Sequence, residues 1–254
     1  MPDETTAAGQ TTAAGETAAA AQPPAAAVVA RGITMTGPWG RVFGPLDLDV
    51  PAGGTTVLVG PPGSGRTALM MNLAGRMKPS SGTLTVLGRS KARDIFDVAA
   101  LAGIEQLDAI FESVTVADLI TEQIRWDAPW YQLVRRAGDA ERDAICGPVF
   151  GDLPVPQLHD YVEHLDEMTG LLLRIALANT ARPPLLVVGS IDEIKSSRDR
   201  AILLTRLVAL GEKQTVITSS ANPIPDGFGL AGQITVDRLE RAELVPGRHE
   251  KGNR

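Results

Sequence analysis

The chain has little cysteine, no long apolar run and no excess of positive charge. Its single cysteine, Cys146, excludes an internal disulfide framework and fits a reducing compartment. Cys146 itself reads as a small helix residue. No run reaches the roughly 18 consecutive apolar residues that a membrane-spanning helix needs. The first residues lack a basic segment followed by an apolar one, so a secretory signal is not expected. The net charge of −6 is spread without long runs, which argues against a nucleic-acid surface. His159 and His164 lie five residues apart, with neither cysteine nor an acidic cage around them, so no metal site is expected there. What the chain does hold is apolar content, 44% of its 254 residues. That is enough for a sizeable core in one large or two small domains.

Residues 1–28 are mostly Ala, Thr, Gly, Pro and Gln and are expected to be a disordered tail. Residues 246–254 are polar and are expected to fray. Between them, short β-rich runs alternate with helical ones. "TTVLVG" (55–60), "GTLTVLG" (82–88), "PPLLVVG", "QTVITSS" and "GQITV" read as strands. "PPLLVVG" is a continuous apolar run and so a buried strand. Helices are expected from Thr67 to Met77, in "TVADLITEQIRW", "PWYQLVRRAGDAERDAI", "LLLRIALANTA" and "SSRDRAILLTRLVALG". Pro129 is expected to start a helix, so Trp126 and Trp130 need not share a face. Such alternation predicts an α/β fold with parallel central strands, interrupted by a helical insert over about 112–165.

"LVGPPGSGRTALMMNLAG" carries the most chemistry. Gly60, Gly65 and Thr67 fit the spacing G-x-x-x-x-G-K-[ST], with Arg66 in place of the lysine and Pro61, Pro62, Gly63 and Ser64 between the glycines. A strand precedes the loop and a helix follows it. Such a loop turns successive amides inward as a cradle for anionic oxygens, and the helix N-terminus adds its dipole. The Thr67 hydroxyl would bind Mg²⁺. Arginine keeps the lysine's charge but is planar and bulkier, so weaker phosphate binding and poorer hydrolysis are expected. The plain alternative is a strand–helix turn that binds nothing.

From residue 29 to about 245 the segment order resembles an ATP-binding-cassette (ABC) transporter nucleotide-binding domain. The phrases that carry this are the "P-x-G" before the loop strand, the loop, "LAG" after it and "P-x-S-G" before the next strand. The resemblance implies a P-loop NTPase of the ABC type, with a mostly parallel core sheet, an N-terminal antiparallel β portion and a helical subdomain. It places Trp39 where an aromatic stacks on adenine; a packed or exposed Trp is the even alternative. Gln106, in "AGIEQLDAIFESVTVADLI", falls at the glutamine that reaches toward Mg²⁺ and the attacking water.

Beyond Gln106 the chain departs from the family pattern. "LDEMT" (165–169) stands in the signature position, Gly189 where a Mg²⁺-linked Asp belongs, Ser190 where a Glu polarises the attacking water, and Ala221 where a His contacts the γ-phosphate. Asp166 and Glu167 would cap the signature helix and repel a phosphate. Asp192–Glu193 could be a displaced acidic pair, but three positions amount to ~10 Å along an extended strand. The pair therefore reads as a solvent-exposed loop, with action of Asp192 through a water as the alternative. The Trp126, Trp130 and Tyr131 cluster reads as local packing, with the family's permease-docking groove as the alternative. Arg135 and Arg136 read as a solvated helix face.

The resemblance implies ATP, with Mg²⁺ weakly held, as ligand. It implies a membrane permease and a second nucleotide-binding domain, in a homodimer or heterodimer, as partners, and no nucleic acid. The expected location is the cytoplasmic face of the cell membrane. Hydrolysis is expected to be very slow or absent. A non-hydrolysing regulatory or scaffolding module is the second reading. A small kinase or GTPase is disfavoured by the segment order and the lack of an N-K-x-D guanine-reading motif.

Overall fold

A computed structural model describes residues 26–104 and 113–237. Two sheets flank one helix. The first is antiparallel, in the order β2-β1-β4, from β1 (Ala26–Gly37), β2 (Gly40–Pro51) and β4 (Ser81–Val86). The second is parallel and five-stranded, in the order β5-β6-β7-β3-β8. It is built from β3 (Thr55–Val59), β5 (Ala99–Ala102), β6 (Leu185–Ser190), β7 (Thr215–Ser220) and β8 (Gly232–Thr235). This is the expected α/β class, with a parallel core, an antiparallel portion and helices.

Strand β6 shows why its sequence is an unbroken apolar run. Leu185 and Val187 pack into the core beneath the first helix, α1 (Arg66–Leu73). Leu186 and Val188 pack on the opposite face, against α5 (Glu167–Ala178) and α6 (Ser197–Gly211). A strand covered on both faces has no polar side to alternate with. On α1, Leu69, Met70 and Leu73 join Val28, Ile33 and Phe43 from the antiparallel sheet. Each such buried side chain contributes about 1.5–3 kcal/mol, so α1 glues the two sheets together.

The helix ends follow their sequence signals. Ser196 caps α6 through the Asp199 amide at 3.2 Å. Thr115 and Asp118 form a reciprocal capping box at the start of α3 (Val116–Asp127), at 3.3 and 3.1 Å. Helix α1 stops at Leu73, short of the expected Met77. The Gly75 amide donates to the Asn72 carbonyl at 3.0 Å and the Arg76 amide to that of Met71 at 2.8 Å, a Schellman closure. Cys146 is buried in α4 (Asp139–Phe150), where desolvation pushes its thiol up to about 11.

Four expectations need correction. Strand β1 begins at Ala26, and Ala27 and Val28 are buried, so residues 26–28 do not belong to a disordered tail. Residues 1–25 and 238–254, with the 246–254 tail, lie outside the described residues. Pro129 starts no helix, and α4 begins only at Asp139. Most of segment 129–138 stays in solvent, with Trp130 95% exposed and Tyr131 and Leu133 exposed too; only Ala137, near its end, is buried. The Trp–Tyr cluster is therefore not packed locally; Trp130 and Tyr131 touch only edge to face, 5.9 Å apart. Arg136 lies in this non-helical segment and pairs with Asp118 at 3.3 Å. The short α2 (Ala92–Phe96) and the Ala-rich β5 had no strong sequence signal.

Candidate functional site

The parallel pairing brings the carboxyl ends of β3, β7 and β6 side by side, with Val59 opposite Ser220 and Ser190 opposite Ser219. Ligands of open parallel sheets sit outside such ends. The loop 60–65 leaves β3 there. Gly60 donates its amide to the Ser220 carbonyl at 3.0 Å, and the Ser64 amide closes back on Pro61 at 3.2 Å. Pro61, Pro62 and Gly63 are exposed, whereas Ser64 is 1% exposed.

Gly65 caps α1 at φ 81°, in the left-handed region. A Cβ there would lie 2.6 Å from the Val42 carbonyl oxygen and 2.8 Å from the Phe43 Cβ. Backbone angle and close approach both require glycine. The first turn of α1 carries no acidic residue, so nothing there offsets its positive end. Two buried polar atoms at this loop, Ser64 Oγ and Arg66 Nη1, have no hydrogen-bond partner. Buried donors are ordinarily satisfied, so the pair suits an incoming anion. Thr67 is exposed at the helix start. Trp39 is 90% exposed on the two-residue turn joining β1 to β2. Gln106 lies outside the described residues.

The residues at the lysine, glutamate and histidine positions all meet one carboxylate that the sequence reading put in solvent. Asp192 lies in a tight 3₁₀ turn, Ile191–Glu193, directly after β6. Its Oδ2 accepts from Ser190 Oγ at 3.0 Å and from the Ala221 amide at 2.5 Å, and stands 3.8 Å from Arg66 Nη1. Its Oδ1 accepts from Ser220 Oγ at 3.4 Å. The Arg66 side chain is only 11% exposed; desolvation lowers its pKa and the Asp192 charge opposes that shift. The reading of Asp192 as a solvent-exposed loop residue is corrected: the turn folds it back over the strand ends.

Gly189 lacks the carboxylate and also the room for one. A Cβ on Gly189 would lie 1.7 Å from the Gly103 carbonyl oxygen at the end of β5. Among the described residues no group of three or more His, Cys, Asp or Glu is placed to hold a metal. Ser64 Oγ and Arg66 Nη1 are donors without a hydrogen-bond partner and so fit an anion.

The signature position sits at the start of α5. Asp166 caps the helix, accepting from the Thr169 amide at 2.9 Å and from Thr169 Oγ1 at 2.6 Å. Burial alone would raise the Asp166 pKa, but these bonds outweigh it and hold the carboxyl below its ordinary value. Glu167 pairs with Lys195 at 2.5 Å, so the helix end is satisfied internally. Asp166→Ala is expected to cost about 1 kcal/mol at neutral pH. A depressed native pKa means the contribution is complete above the unfolded value and is lost as pH falls through the native one. Urea unfolding at pH 7 and at pH values stepped down through the carboxylate range would therefore show the difference shrinking in acid.

A separate groove runs between α2, β5, α3 and α5, lined by Arg76, Phe96, Leu101, Leu119, Trp126 and Leu177. Trp126 is 79% exposed at its edge.

The ABC transporter family model matches residues 43–182, over half of the 254 residues. The cytochrome c biogenesis ATP-binding export protein CcmA of Pseudomonas putida is 30% identical over 164 residues, 63% of this chain and 71% of that relative. A probable ribonucleotide transport ATP-binding protein, mkl, of Mycobacterium leprae is 29% identical over 97 residues, 36% of this chain but only 28% of that relative. Among solved structures, cbiO1 of Clostridium perfringens, part of the ABC transporter complex cbiONQ, aligns with a TM-score of 0.62 at 14% identity, over 78% of this chain and 79% of that one. At that identity the likeness is one of fold. The family match spans the strand–loop–helix at 55–73, and the chain belongs to the ABC transporter family.

Proposed function

We propose that the chain is the nucleotide-binding subunit of an ABC-type membrane transport complex, with nucleotide binding kept and hydrolysis weak or absent. The observation that carries this is the loop before α1, whose Ser64 Oγ and Arg66 Nη1 are buried without a hydrogen-bond partner. Phosphate oxygens would fill both, with the α1 dipole behind them. Trp39 is free to stack on a base. Bound ATP would supply the phosphoanhydride; the chain's residues bind and orient it. The base at Ser190 is gone, and β6 offers no carboxylate for Mg²⁺. Thr67, and Gln106 by the family resemblance, are the residues left to approach that ion.

The partners in this reading are a membrane permease and a second nucleotide-binding domain. The groove edged by Trp126 supports the first, since an exposed apolar lining marks a protein contact. A peripheral position on the inner membrane face follows from these partners. A second reading, a regulatory module without turnover, is favoured by the closed space at Gly189.

Equilibrium titration of the purified chain with ADP and ATP tests the proposal. Arg66→Ala is expected to weaken binding by about tenfold or more, the cost of removing one charged hydrogen-bond donor. If the wild type binds neither nucleotide, the reading fails.

A further inference from the structure

We infer that the Asp192 carboxylate stands in the place of a terminal phosphate, so that the loop takes a nucleoside diphosphate in preference to a triphosphate. The inference rests on the nucleotide reading above. Position 66 is the one whose side chain reaches the β- and γ-phosphates in loops of this spacing. Here that side chain points to Asp192 Oδ2, 3.8 Å from Arg66 Nη1.

The carboxylate is fixed. Ser190 Oγ, at the end of β6, holds Oδ2 at 3.0 Å, and the Ala221 amide, just past β7, holds it at 2.5 Å. Ser220 Oγ holds Oδ1 at 3.4 Å. Swinging Asp192 away would break bonds to two strand ends. The Asp192 side chain is also only 30% exposed, so water screens it incompletely.

A diphosphate asks only for the α1 N-terminus, Ser64 Oγ and Arg66 Nη1, the last two being side-chain atoms of this loop left without hydrogen bonds. A third phosphate would bring its charge against a carboxylate that already faces the same guanidinium. At separations near 4 Å and partial burial, such like-charge contact exceeds the roughly 1.4 kcal/mol that equals a tenfold change in affinity.

Calorimetric titrations with ADP and with ATP, each in EDTA and again with Mg²⁺, test this. The wild type is expected to bind ADP about tenfold or more tightly than ATP in both conditions. Asp192→Asn keeps the shape and removes the charge. It is expected to tighten ATP about tenfold more than it tightens ADP. ATP binding as tightly as ADP in the wild type, or both nucleotides shifting together in Asp192→Asn, overturns the preference while leaving the nucleotide reading intact. Binding of neither overturns both. Should Asp192→Asn fail to fold, Asp192→Ser replaces it, and the wild-type ratio decides in either case.

Discussion

Gly189→Asp is expected to lower stability by about 3 kcal/mol, and not to restore a metal ligand. The change looks like a simple repair on paper, because it returns the acid to the end of an apolar strand. The obstacle is backbone. A Cβ at 189 would sit 1.7 Å from the Gly103 carbonyl oxygen, and a carbonyl in a strand end cannot rotate aside as a side chain can. β5 and β6 pair in register from Ala99–Leu185 to Ala102–Val188, so relief requires parting two strands at the place where they meet. Thr218 Oγ1 also donates to the Gly189 carbonyl at 2.7 Å, which ties the same residue to β7. The new carboxylate would in addition lose hydration in a buried strand. Urea unfolding of Gly189→Ala and Gly189→Asp checks this, the alanine variant isolating the steric part. Wild-type stability for both would show that the strand ends can separate freely.

The same glycine shows what the sequence carries and what it hides. That β6 is a buried strand is written in Leu185–Val188, because burial on both faces demands an unbroken apolar run. The loop is equally legible, since the glycine at 65 is a direct requirement of the turn. The closed space at Gly189 is not, because it depends on where β5 ends, and β5 is Ala99–Ala102, with no β-branched or aromatic residue to announce a strand. Segment 129–138 misleads in the opposite way: its apolar residues fit a helical spacing, yet Trp130, Tyr131 and Leu133 are exposed and only Ala137 is buried. The inward placement of Asp192 is hidden for a geometric reason. Three positions are ~10 Å only while the chain stays extended; here it leaves β6 at Ser190 and turns at once through Ile191–Glu193, which returns the carboxylate to Arg66 and Ala221.

That returned carboxylate also governs turnover. The wild-type chain is expected to release phosphate from Mg-ATP about 10²–10⁴-fold more slowly than an ABC cassette retaining its glutamate, assayed alongside. Ser190→Glu alone is expected to leave it there. The Ser190 hydroxyl donates to Asp192 Oδ2 at 3.0 Å, so the substitution exchanges a donor for a second negative charge at the same spot. Two carboxylates this close cannot both stay ionised cheaply, and one becomes a poorer base by taking a proton or turns away toward solvent. The Ala221 amide and Arg66 would then have two acids competing for them. Combining Ser190→Glu with Asp192→Asn removes that conflict, and the double variant is expected to exceed the single one by roughly tenfold, the effect of about 1.4 kcal/mol of relieved repulsion. It should still fall short of the reference cassette, because Gly189 continues to deny a carboxylate to the metal. Steady-state phosphate release from the wild type, the single and the double variant decides it. A wild type within tenfold of the reference, or a single variant that gains as much as the double, would mean that Asp192 does not hold the position argued for it.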